Sequence, residues 1–353
     1  MRILYLYCEV MPYNVAALKS LVSHNKTVEI DVFSWGIKKK LTPYVPPKIE
    51  RVHYHDESDF NFGQLLSLYD SFNYEIIYVC NRREKKYLKL ALYARRKGTI
   101  VIGQSDEQFY GTFRQYIKKA LSYFLYIRYF DYMMVPGYYQ YEFMRFLGFK
   151  KEVILIGAYT ADTSLFGEFY LNNKKNINQE IRLSKKRMLY LGRLECEKGL
   201  DLLCYALEDL KGMFDIELIV VGNGSMKDLI TSYSFVQHHS FMEQEEILRI
   251  LMDVDYFVLP SVYEPWGVVL HEMAAAGMVI ISSDACGANS FFVFNNYNGF
   301  VFKRGSLNSL KVSLERAFSL DSQKLKDFKY RSNELSKSIS PSLWAETING
   351  FLR

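Results

Sequence analysis

Cysteine is scarce and scattered in this chain of 353 residues, which holds only Cys8, Cys80, Cys196, Cys204 and Cys286. No two of them have the CxxC spacing of a redox or zinc-binding pair. An odd and dispersed set argues against a disulfide framework and predicts reduced thiols in a cytoplasm. The six histidines form no ligand pattern either, so we predict no bound metal.

Long hydrophobic runs are also lacking, and no segment gives an uninterrupted membrane span. The most apolar candidate, near 120–135, is broken by Arg128 and Asp131. The apolar start, MRILYLYCEVMPYN, is followed by no small-residue cleavage site. We therefore interpret it as a buried first strand, not as a signal peptide, and expect a cytoplasmic protein.

Internal repeats and low-complexity tracts are absent, and the apolar fraction of 49% is ordinary for a globular protein. The length exceeds what one hydrophobic core usually serves, which predicts two domains.

The charge is distributed unevenly along the chain. Residues 1–165 carry 23 Lys and Arg against 16 Asp and Glu, whereas the remainder carries 21 against 23. The basic first half suits an anionic partner such as nucleic acid, anionic lipid or a phosphorylated acceptor; the alternative is a solvated basic surface.

Strand and helix patterns alternate along the chain, which predicts parallel sheets with helices on both faces. Strand patterns occur at 2–7, 28–35, 74–80, 99–103, 132–136, 153–157, 188–192, 217–222, 256–260 and 279–283. A stretch rich in Asn and Lys interrupts the alternation at 167–187. We therefore predict an α/β protein of two doubly wound domains, 1–166 and 188–340, with a linker at 167–187 and a ligand cleft between them.

The last segment, 341–353, has the pattern of an amphipathic helix. Its apolar residues fall near one helical face: Leu343, Trp344, Ile348, Phe351 and Leu352. Such a helix must dock somewhere, either locally on the second domain or back onto the first.

The first segment with chemical content is MLYLGRLECEKGLDLL, residues 188–203. A strand pattern ends at Gly192, and Arg193 and Lys198 follow in a short loop that Gly199 closes before a helix. An arginine can make a forked contact with phosphate and a lysine adds a compact charge, so this loop suits a diphosphate. The alternative is a glycine-bounded loop with solvated charges.

The second segment is ELIVVGNGSMKDLI, residues 217–230, in which Gly222, Asn223 and Gly224 lie between a strand and a helix. Free N–H groups at a helix start favour an anion. The dinucleotide fingerprint needs a further small residue where Lys227 stands, and no acidic residue closes a following strand as expected. NAD binding is therefore disfavoured.

The third and most informative segment is YFVLPSVYEPWGVVLHEMAAAGMVIISS, residues 256–283. Glu264 stands in the loop before a helix that starts near Gly267, and Glu272 follows within that helix. The helix start again suits phosphate, and a carboxylate matches a vicinal diol such as that of ribose. The alternatives are a solvated loop residue for Glu264 and a surface helix position for Glu272.

Residues 188–283 together resemble the donor-binding half of retaining glycosyltransferases of family 4. The resemblance rests on YLGRLECEKGLDLL, VVGNGS and LPSVYEPWGVVLHEMAAAG, in the family's order and spacing. It implies the GT-B fold, which consists of two Rossmann-like domains facing across a cleft, and no metal requirement. It also implies that the final helix crosses back to the first domain.

The resemblance assigns roles to individual residues. Arg193 and Lys198 would hold the donor diphosphate, Glu272 would bind the ribose hydroxyls, and Glu264 would contact the transferred sugar and help the diphosphate depart. The predicted donor-binding set is Gly192, Arg193, Lys198, Gly222, Asn223, Gly224, Glu264, Pro265, Trp266, Gly267, Val268, Val269 and Glu272.

The first half of the chain resembles the family more loosely. ILIGAYTADTSLF, residues 154–166, is similar to a segment that precedes the interdomain linker, and GQSDEQFYGTFRQ, residues 103–115, is similar to an acceptor-side loop. The resemblance implies that Asp106 contacts the acceptor or sugar and takes part in catalysis. Many members have a Gly-Gly pair after the first strand, where this chain has Glu9 to Asn14, so the acceptor pocket must differ.

Residues 82–128 form a basic aromatic zone with 12 Lys and Arg against three acids. In a helix over 112–128, Arg114, Lys118 and Arg128 alternate with Phe113, Ile117, Leu121, Phe124 and Leu125. A basic amphipathic helix can lie on an anionic leaflet. The alternative is an ordinary helix whose apolar face lies in the domain core.

The sequence therefore predicts a retaining, metal-independent hexosyltransferase that uses a UDP- or GDP-sugar and no other cofactor. The expected acceptor is a saccharide or a lipid-linked saccharide in bacterial surface polysaccharide or glycan synthesis, and no nucleic acid partner is expected. The expected location is cytoplasmic, with peripheral attachment to the inner face of the membrane as a hypothesis. The alternatives are a dinucleotide-dependent oxidoreductase and a non-catalytic nucleotide-sugar-binding protein.

Overall fold

The computed structural model describes residues 1–36, 39, 42–80, 82, 84–173 and 185–352. The chain divides into two compact units. The first comprises Met1–Asp162 and Ile339–Arg353, and the second comprises Thr163–Ser338. Each unit is built on one parallel β-sheet, so the prediction of two Rossmann-like α/β domains is confirmed.

The first unit contains a seven-stranded sheet in the order β3-β2-β1-β4-β5-β6-β7, and all of its strand pairs are parallel. Its strands are β1 (Arg2–Leu6), β2 (Glu29–Ser34), β3 (Val52–Asp56), β4 (Ile76–Val79), β5 (Ile100–Gln104), β6 (Tyr132–Val135) and β7 (Ile154–Ile156). Its helices up to this point are α1 (Pro12–His24), α2 (Phe62–Ser71), α3 (Lys85–Arg96), α4 (Phe113–Ala120) and α5 (Tyr138–Leu147).

The second unit contains a six-stranded parallel sheet in the order β10-β9-β8-β11-β12-β13. Its strands are β8 (Lys185–Leu191), β9 (Asp215–Val221), β10 (Val236–His239), β11 (Tyr256–Leu259), β12 (Val279–Ser283) and β13 (Gly299–Phe302). Its helices are α6 (Thr163–Asn173), α7 (Leu200–Leu210), α8 (Lys227–Thr231), α9 (Gln244–Leu251), α10 (Val268–Ala275), α11 (Asn289–Phe292), α12 (Leu307–Phe318) and α13 (Ser322–Ser336).

The segment predicted as a linker, 167–187, contains regular structure at both ends. Helix α6 runs to Asn173 and strand β8 begins at Lys185, while 174–184 lie outside the described residues. Phe166, Phe169 and Tyr170 of α6 are buried, so apolar packing extends past the predicted boundary at 166. The division between the units falls at Asp162.

The last helix, α14 (Pro341–Asn349), packs against α1 in the first unit. Trp344 lies edge-on to Tyr5 of β1 and Tyr78 of β4, with ring centroids 6.3 and 6.0 Å apart. On this face the sheet is covered by α1 and α14, and on the other by α2, α3 and α5. Both faces of the sheet are therefore buried, as in doubly wound proteins generally.

The sequence patterns missed β3, β10 and β13. All three are edge strands of their sheets. In β3 and β10 few residues are fully buried, because an edge strand has a neighbour on one side only. Their sequences, VHYHD and VQHH, consequently lack the continuous apolar run by which buried parallel strands are recognised. No helix of the described residues has the length and hydropathy needed to cross a membrane.

Candidate functional site

The order of the second sheet places a topological switch point between β8 and β11, its first and fourth strands. The chain leaves β8 toward β9 on one side of this point and leaves β11 toward β12 on the other. Loops that follow adjacent parallel strands here diverge and leave a crevice where ligands of such sheets bind. The three motifs of the sequence follow β8, β9 and β11, which are neighbours in the sheet.

The loop after β8 is held by backbone and side-chain hydrogen bonds. Leu194 is buried, and its N–H donates to the carbonyl oxygen of Asn223 in the loop after β9, at 2.9 Å. The Tyr190 hydroxyl donates to the carbonyl oxygen of Arg193 at 2.7 Å. These contacts fix the backbone on both sides of Arg193 and leave its side chain outside.

The Arg193 guanidinium is exposed, with 61% of its side chain accessible, and donates to Glu197 at 3.0 Å. An ion pair this exposed contributes little to stability because water screens it. Arg193 can therefore exchange Glu197 for an anionic ligand at small energetic cost.

Lys198 and Glu264 form the best-defined polar pair of the site. The Lys198 Nζ lies 2.6 Å from Glu264 Oε2, and each side chain is only 13% exposed. Ser261, in the same loop as Glu264, donates to the same carboxylate oxygen at 3.3 Å. The structure thus joins the first and third motifs through a charge-assisted hydrogen bond between residues 66 positions apart.

Close backbone contact explains how Lys198 is positioned. Gly199 follows it with φ +67°, and a Cβ at this position would lie 2.4 Å from the Pro260 carbonyl oxygen. Only glycine fits both the left-handed backbone and this approach of the β8 loop to the end of β11.

Gly222 fulfils a similar requirement after β9. A Cβ on this residue would lie 1.9 Å from the Gly192 carbonyl oxygen, so the two loops cross in direct backbone contact. His238 of β10 donates from Nε2 to the Gly222 carbonyl oxygen at 2.8 Å. Helix α8, which follows this turn, has only five residues and starts at Lys227. The turn formed by Gly222, Asn223 and Gly224 therefore supports the β8 loop, and its contact with the donor stays a prediction.

The third motif is tied to the loop that follows β12. Glu264 forms a parallel bridge with Cys286, and the N–H of Gly287 donates to the Glu264 carbonyl oxygen at 3.1 Å. Pro265 follows, half-buried, and Gly267 is the N-cap of α10. The first N–H groups of a helix have no partner within it, so α10 presents donors and a positive dipole end beside Glu264.

Trp266 is buried beneath the loop of the third motif. Its side chain is 2% exposed and packs on the rings of Phe291 and Phe292. The aromatic surface of Trp266 thus holds the loop against α11, and its contact with the donor stays a prediction. Its neighbours Val268 and Val269 remain half-buried at the start of α10.

Glu272 lies one turn into α10, four residues after Val268 and on the same face. Both are half-buried, whereas Leu270, His271 and Met273 between and after them are buried. The Glu272 side chain is therefore on the part of the helix that the core does not cover. Its placement agrees with a ligand-facing position one helical turn from the anion-favouring end.

His271 is a structural residue. It is fully buried, its Nε2 donates to the Ser336 carbonyl oxygen at 2.8 Å, and its ring stacks on Phe292 with centroids 4.0 Å apart. Burial lowers the pKa of His271 to about 4, so the imidazole is neutral at physiological pH.

Asp106 belongs to the first unit, where it is exposed in the loop after β5. Burial, and after it the negative charge of Asp106, raises the pKa of Tyr159 well above its usual range. Tyr159 contacts Tyr13, edge to face at 5.6 Å. Asp106 therefore lies near the aromatic residues at the carboxyl edge of that sheet.

The loop after β1 is closed by its own side chains. Glu9 is buried, and one of its oxygens accepts from the Thr42 N–H at 3.0 Å and from its hydroxyl at 2.7 Å. Asn14 is also buried and accepts from the Met11 N–H at 2.9 Å. Both side chains therefore support the loop after β1.

Sequence reasoning missed three polar residues that support the site: Tyr190, Ser261 and His238. Each acts through a hydrogen bond to a residue that was predicted, and none has a motif of its own. Tyr190 and Ser261 stand at strand ends next to the glycine and glutamate motifs, which is the one signal that could have found them. Among the described residues, no group of three or more His, Cys, Asp or Glu side chains could hold a metal ion.

The comparisons with known proteins agree with this geometry. The family model of Glycosyl transferases group 1 matches residues 172–334, nearly the whole second unit. Glycosyltransferase MJ1607 of Methanocaldococcus jannaschii is 28% identical over 139 residues, which are 37% of this chain and 35% of that protein. Glycogen synthase of Mycobacterium tuberculosis is 34% identical over 117 residues, which are 30% of this chain and 28% of that protein.

Among solved structures, Anabaena HepE in complex with UDP and glucose is similar over 100% of this chain and 99% of its own, with a TM-score of 0.73 and 17% identity. This likeness confirms the predicted GT-B fold. Over residues 172–334 the second unit is similar to the Glycosyl transferases group 1 family, which supports the predicted glycosyltransferase class. The alignments span only about a third of the length of these two sequence relatives.

Proposed function

We propose that the chain transfers a hexosyl group from a nucleoside diphosphate sugar to an acceptor hydroxyl, and that the second unit binds the donor. The observation that carries the proposal is the Lys198–Glu264 pair at the switch point of the second sheet. It brings a cation, a carboxylate and the start of α10 together at the crevice where such sheets bind ligands. UDP is the favoured nucleoside diphosphate of the donor, since HepE binds UDP and UDP-glucose.

The leaving diphosphate is stabilised by charge. As the bond from the anomeric carbon to the diphosphate oxygen breaks, negative charge grows on the diphosphate. Lys198 is held at the site by Glu264, and Arg193 reaches in from the loop surface by leaving Glu197. Together with the N-terminus of α10, these groups supply the positive potential that a divalent metal supplies in other transferases.

The two carboxylates act at different parts of the donor. Glu264, beside Lys198, contacts the transferred sugar, and its negative charge favours oxocarbenium character at the anomeric carbon. Glu272, one turn into α10, accepts hydrogen bonds from the two ribose hydroxyls. This division keeps the family 4 assignment, with retention at the anomeric carbon and no metal requirement, as part of the proposal.

The acceptor side is assigned to the first unit. Asp106 is exposed after β5 beside the aromatic edge formed by Tyr13 and Tyr159. Aromatic rings and a carboxylate suit a saccharide, which offers both apolar faces and hydroxyl donors. We assign the acceptor to the saccharides and lipid-linked saccharides of bacterial surface glycans.

An NAD-dependent oxidoreductase is the weaker alternative. In the dinucleotide fold the glycine fingerprint follows the first strand of the sheet, whereas Gly222 and Gly224 follow β9, the second strand of its unit. The carbonyl oxygen of Gly222 is occupied by His238, and α8 is too short to present a strong dipole.

The test is thermal stability of the purified chain with UDP, GDP, NAD and UDP- or GDP-sugars, each with and without EDTA. A donor at about 100 times its dissociation constant should add about 2.7 kcal/mol. Lys198→Ala and Glu272→Ala should abolish this gain, and Lys198→Ala should slow transfer about 10²- to 10³-fold by removing charge stabilisation.

Lys211→Ala and Glu208→Ala are the matched controls, because these residues form an exposed ion pair at the end of α7. Both should bind the donor as the unchanged chain does. A stabilisation by NAD alone, or an equal loss in the control variants, would contradict the proposal.

A further inference from the structure

Helix α4 and the residues after it bury polar side chains and expose apolar ones. The polar or amphipathic residues Gln115, Ser122 and Tyr126 are the buried ones, whereas the apolar residues face solvent. A helix that packs on a domain core shows the opposite arrangement. The alternative that the apolar face of this segment lies in the core is therefore wrong.

Gln115 explains how this orientation is fixed. Its Nε2 donates to the Gln108 carbonyl oxygen at 2.7 Å, and its Oε1 accepts from the Tyr110 N–H at 2.8 Å. Lys118 adds an ion pair with Glu107 at 2.6 Å. The polar face of α4 is thus tied to the loop after β5, which turns the apolar face outward.

The outward face is a continuous apolar stripe. Positions three and four apart lie above one another on a helix, and the stripe follows this spacing along Phe113, Ile117, Leu121 and Phe124. Phe113 is 79% exposed and Phe124 is 58% exposed. Tyr116, Tyr123 and Leu125 widen the exposed surface. An exposed apolar patch of this extent indicates an interaction site.

Cations border the stripe. Arg114 lies on one flank and Lys119 on the other, both exposed, and Lys119 is also 4.5 Å from the ring centroid of Phe146. Like charges on both flanks would oppose each other if a second copy of this chain docked on the same face. The arrangement fits an anionic partner with an apolar interior.

A cavity next to the stripe offers a site for an anionic group. It has a volume of about 480 Å³ and is lined by Leu92, Arg95, Arg96, Tyr123, Ile127 and Arg128. The Nε of Arg128 is buried and, among the residues described, has no hydrogen-bond partner. The Arg95 guanidinium is paired with Asp131 at 2.7 Å, so Arg96 and Arg128 are the cations that suit a phosphate oxygen there.

We propose that residues 113–128 dock on an anionic lipid bilayer. The phenylalanine side chains enter the boundary between headgroups and acyl chains, the flanking Arg114 and Lys119 pair with anionic headgroups, and the cavity at Arg128 receives one lipid phosphate. The geometry resembles that of an interfacial helix, with its apolar face turned to the lipid and its polar face to the protein. This inference does not depend on the donor chemistry, because the surface lies wholly in the first unit.

The experiment is flotation of the full chain, without nucleotide, with vesicles of phosphatidylcholine alone or mixed with phosphatidylglycerol. We expect binding to the mixed vesicles, weakened by salt. The double variant Phe113→Ser/Phe124→Ser should lower the partition coefficient at least about tenfold, since two aromatic side chains no longer leave water on binding. Arg114→Gln/Lys119→Gln should lower it about fivefold per charge removed.

Matched controls come from exposed residues of the second unit. Met213→Ser/Tyr330→Ser and Lys303→Gln/Lys324→Gln should leave partitioning unchanged. If the phenylalanine variant does not fold, as judged by circular dichroism, the charge variant decides. The proposal is overturned if the unchanged chain ignores both kinds of vesicle, or if the control variants lose as much binding.

A concentration-dependent dimer in sedimentation experiments that Phe113→Ser/Phe124→Ser abolishes would also overturn the proposal. It would assign the stripe to a second copy. Failure of vesicle binding leaves the donor-binding test unaffected, so the two proposals fail separately.

Discussion

The two sheets of this protein have the same strand order around their switch points, yet the loops at those points differ. The first strand of each unit, β1 or β8, has its second strand on one side and its fourth on the other. After β8 the chain presents Arg193 and Lys198 in a loop held by backbone contacts. After β1 it turns Glu9 and Asn14 inward and closes the loop with their hydrogen bonds.

The side chains beside the two switch points also differ, because the first sheet has packed aromatic rings there. Tyr5 stacks on Tyr7 and on Tyr78 beside the switch point of the first sheet, with centroids 5.0 and 4.9 Å apart, and Trp344 covers Tyr5 and Tyr78. Topology therefore determines where a crevice can form, while the side chains determine whether a charged loop or packed aromatic rings stand there. The charged loop after β8 is the physical basis for assigning the donor to the second unit.

The largest effect is expected from removing the aromatic cover. Trp344→Ala should lower the free energy of unfolding by about 3–5 kcal/mol, because a buried indole leaves a cavity against Tyr5 and Tyr78. Hydrogen exchange should show the loss of protection in β1 and β4. Leu343→Ala, an exposed neighbour on the same helix, is the control and should change little. Equal losses in both variants would show that the cluster does not stabilise this edge.

The helix that follows the fourth strand of each unit, α3 in the first and α10 in the second, differs in its buried residues. Only α10 should make the free energy of unfolding depend on pH. Helix α3 buries Tyr87 and Leu90, whereas α10 buries His271. Burial lowers the pKa of His271 to about 4, against about 6.5 in an unfolded chain, so the unfolded state binds the proton first as pH falls. Stability should therefore be complete above about pH 6.5 and fall by up to about 3 kcal/mol toward pH 4.

Urea unfolding at a series of pH values measures this loss. His271→Gln, which keeps a donor for Ser336 but does not titrate, should flatten the profile in that window. The exposed His24→Gln serves as the control. An unchanged slope in His271→Gln would assign the pH dependence to other groups.

The smallest expected effect concerns the loop crossing after the second strand of the second sheet. Gly222→Ala places a Cβ 1.9 Å from the Gly192 carbonyl oxygen at φ +144°, so the loop must shift, at a cost of about 2 kcal/mol. Thermal unfolding and donor affinity should both fall. Gly212→Ala, where a Cβ meets nothing within 4 Å, is the matched control. Unchanged donor affinity in Gly222→Ala would mean that the crossing does not position Lys198.

Most of the fold could be predicted from sequence because the central strands are continuous apolar runs. β4 and β11 are buried at every residue, and both were recognised. The edge strands β3 and β10 were not, because half-exposed residues lack that pattern. The helical pattern of α6 was also missed, because 167–187 is rich in Asn and Lys and was interpreted as a linker.

For the candidate site, residue types and spacing indicated which residues belong to it. They did not indicate which of those residues contact each other. Lys198 and Glu264 were predicted separately, and no sequence rule indicated that they bind each other. Trp266 was predicted as a ligand contact, yet it packs on Phe291 and Phe292. In α4 the amphipathic pattern was visible, but its direction depends on the hydrogen bonds of Gln115.

The sequence by itself determined the alternation of strands and helices, the glycine-bounded loops and the acidic and basic residues within them. These properties are local, because they follow from backbone propensity and from the periodicity of apolar residues. Only the tertiary structure decided that Lys198 meets Glu264, that Glu9 is enclosed while Arg193 is open, and that the apolar face of α4 points outward. Such choices depend on contacts between residues far apart in the chain, and no local pattern encodes them.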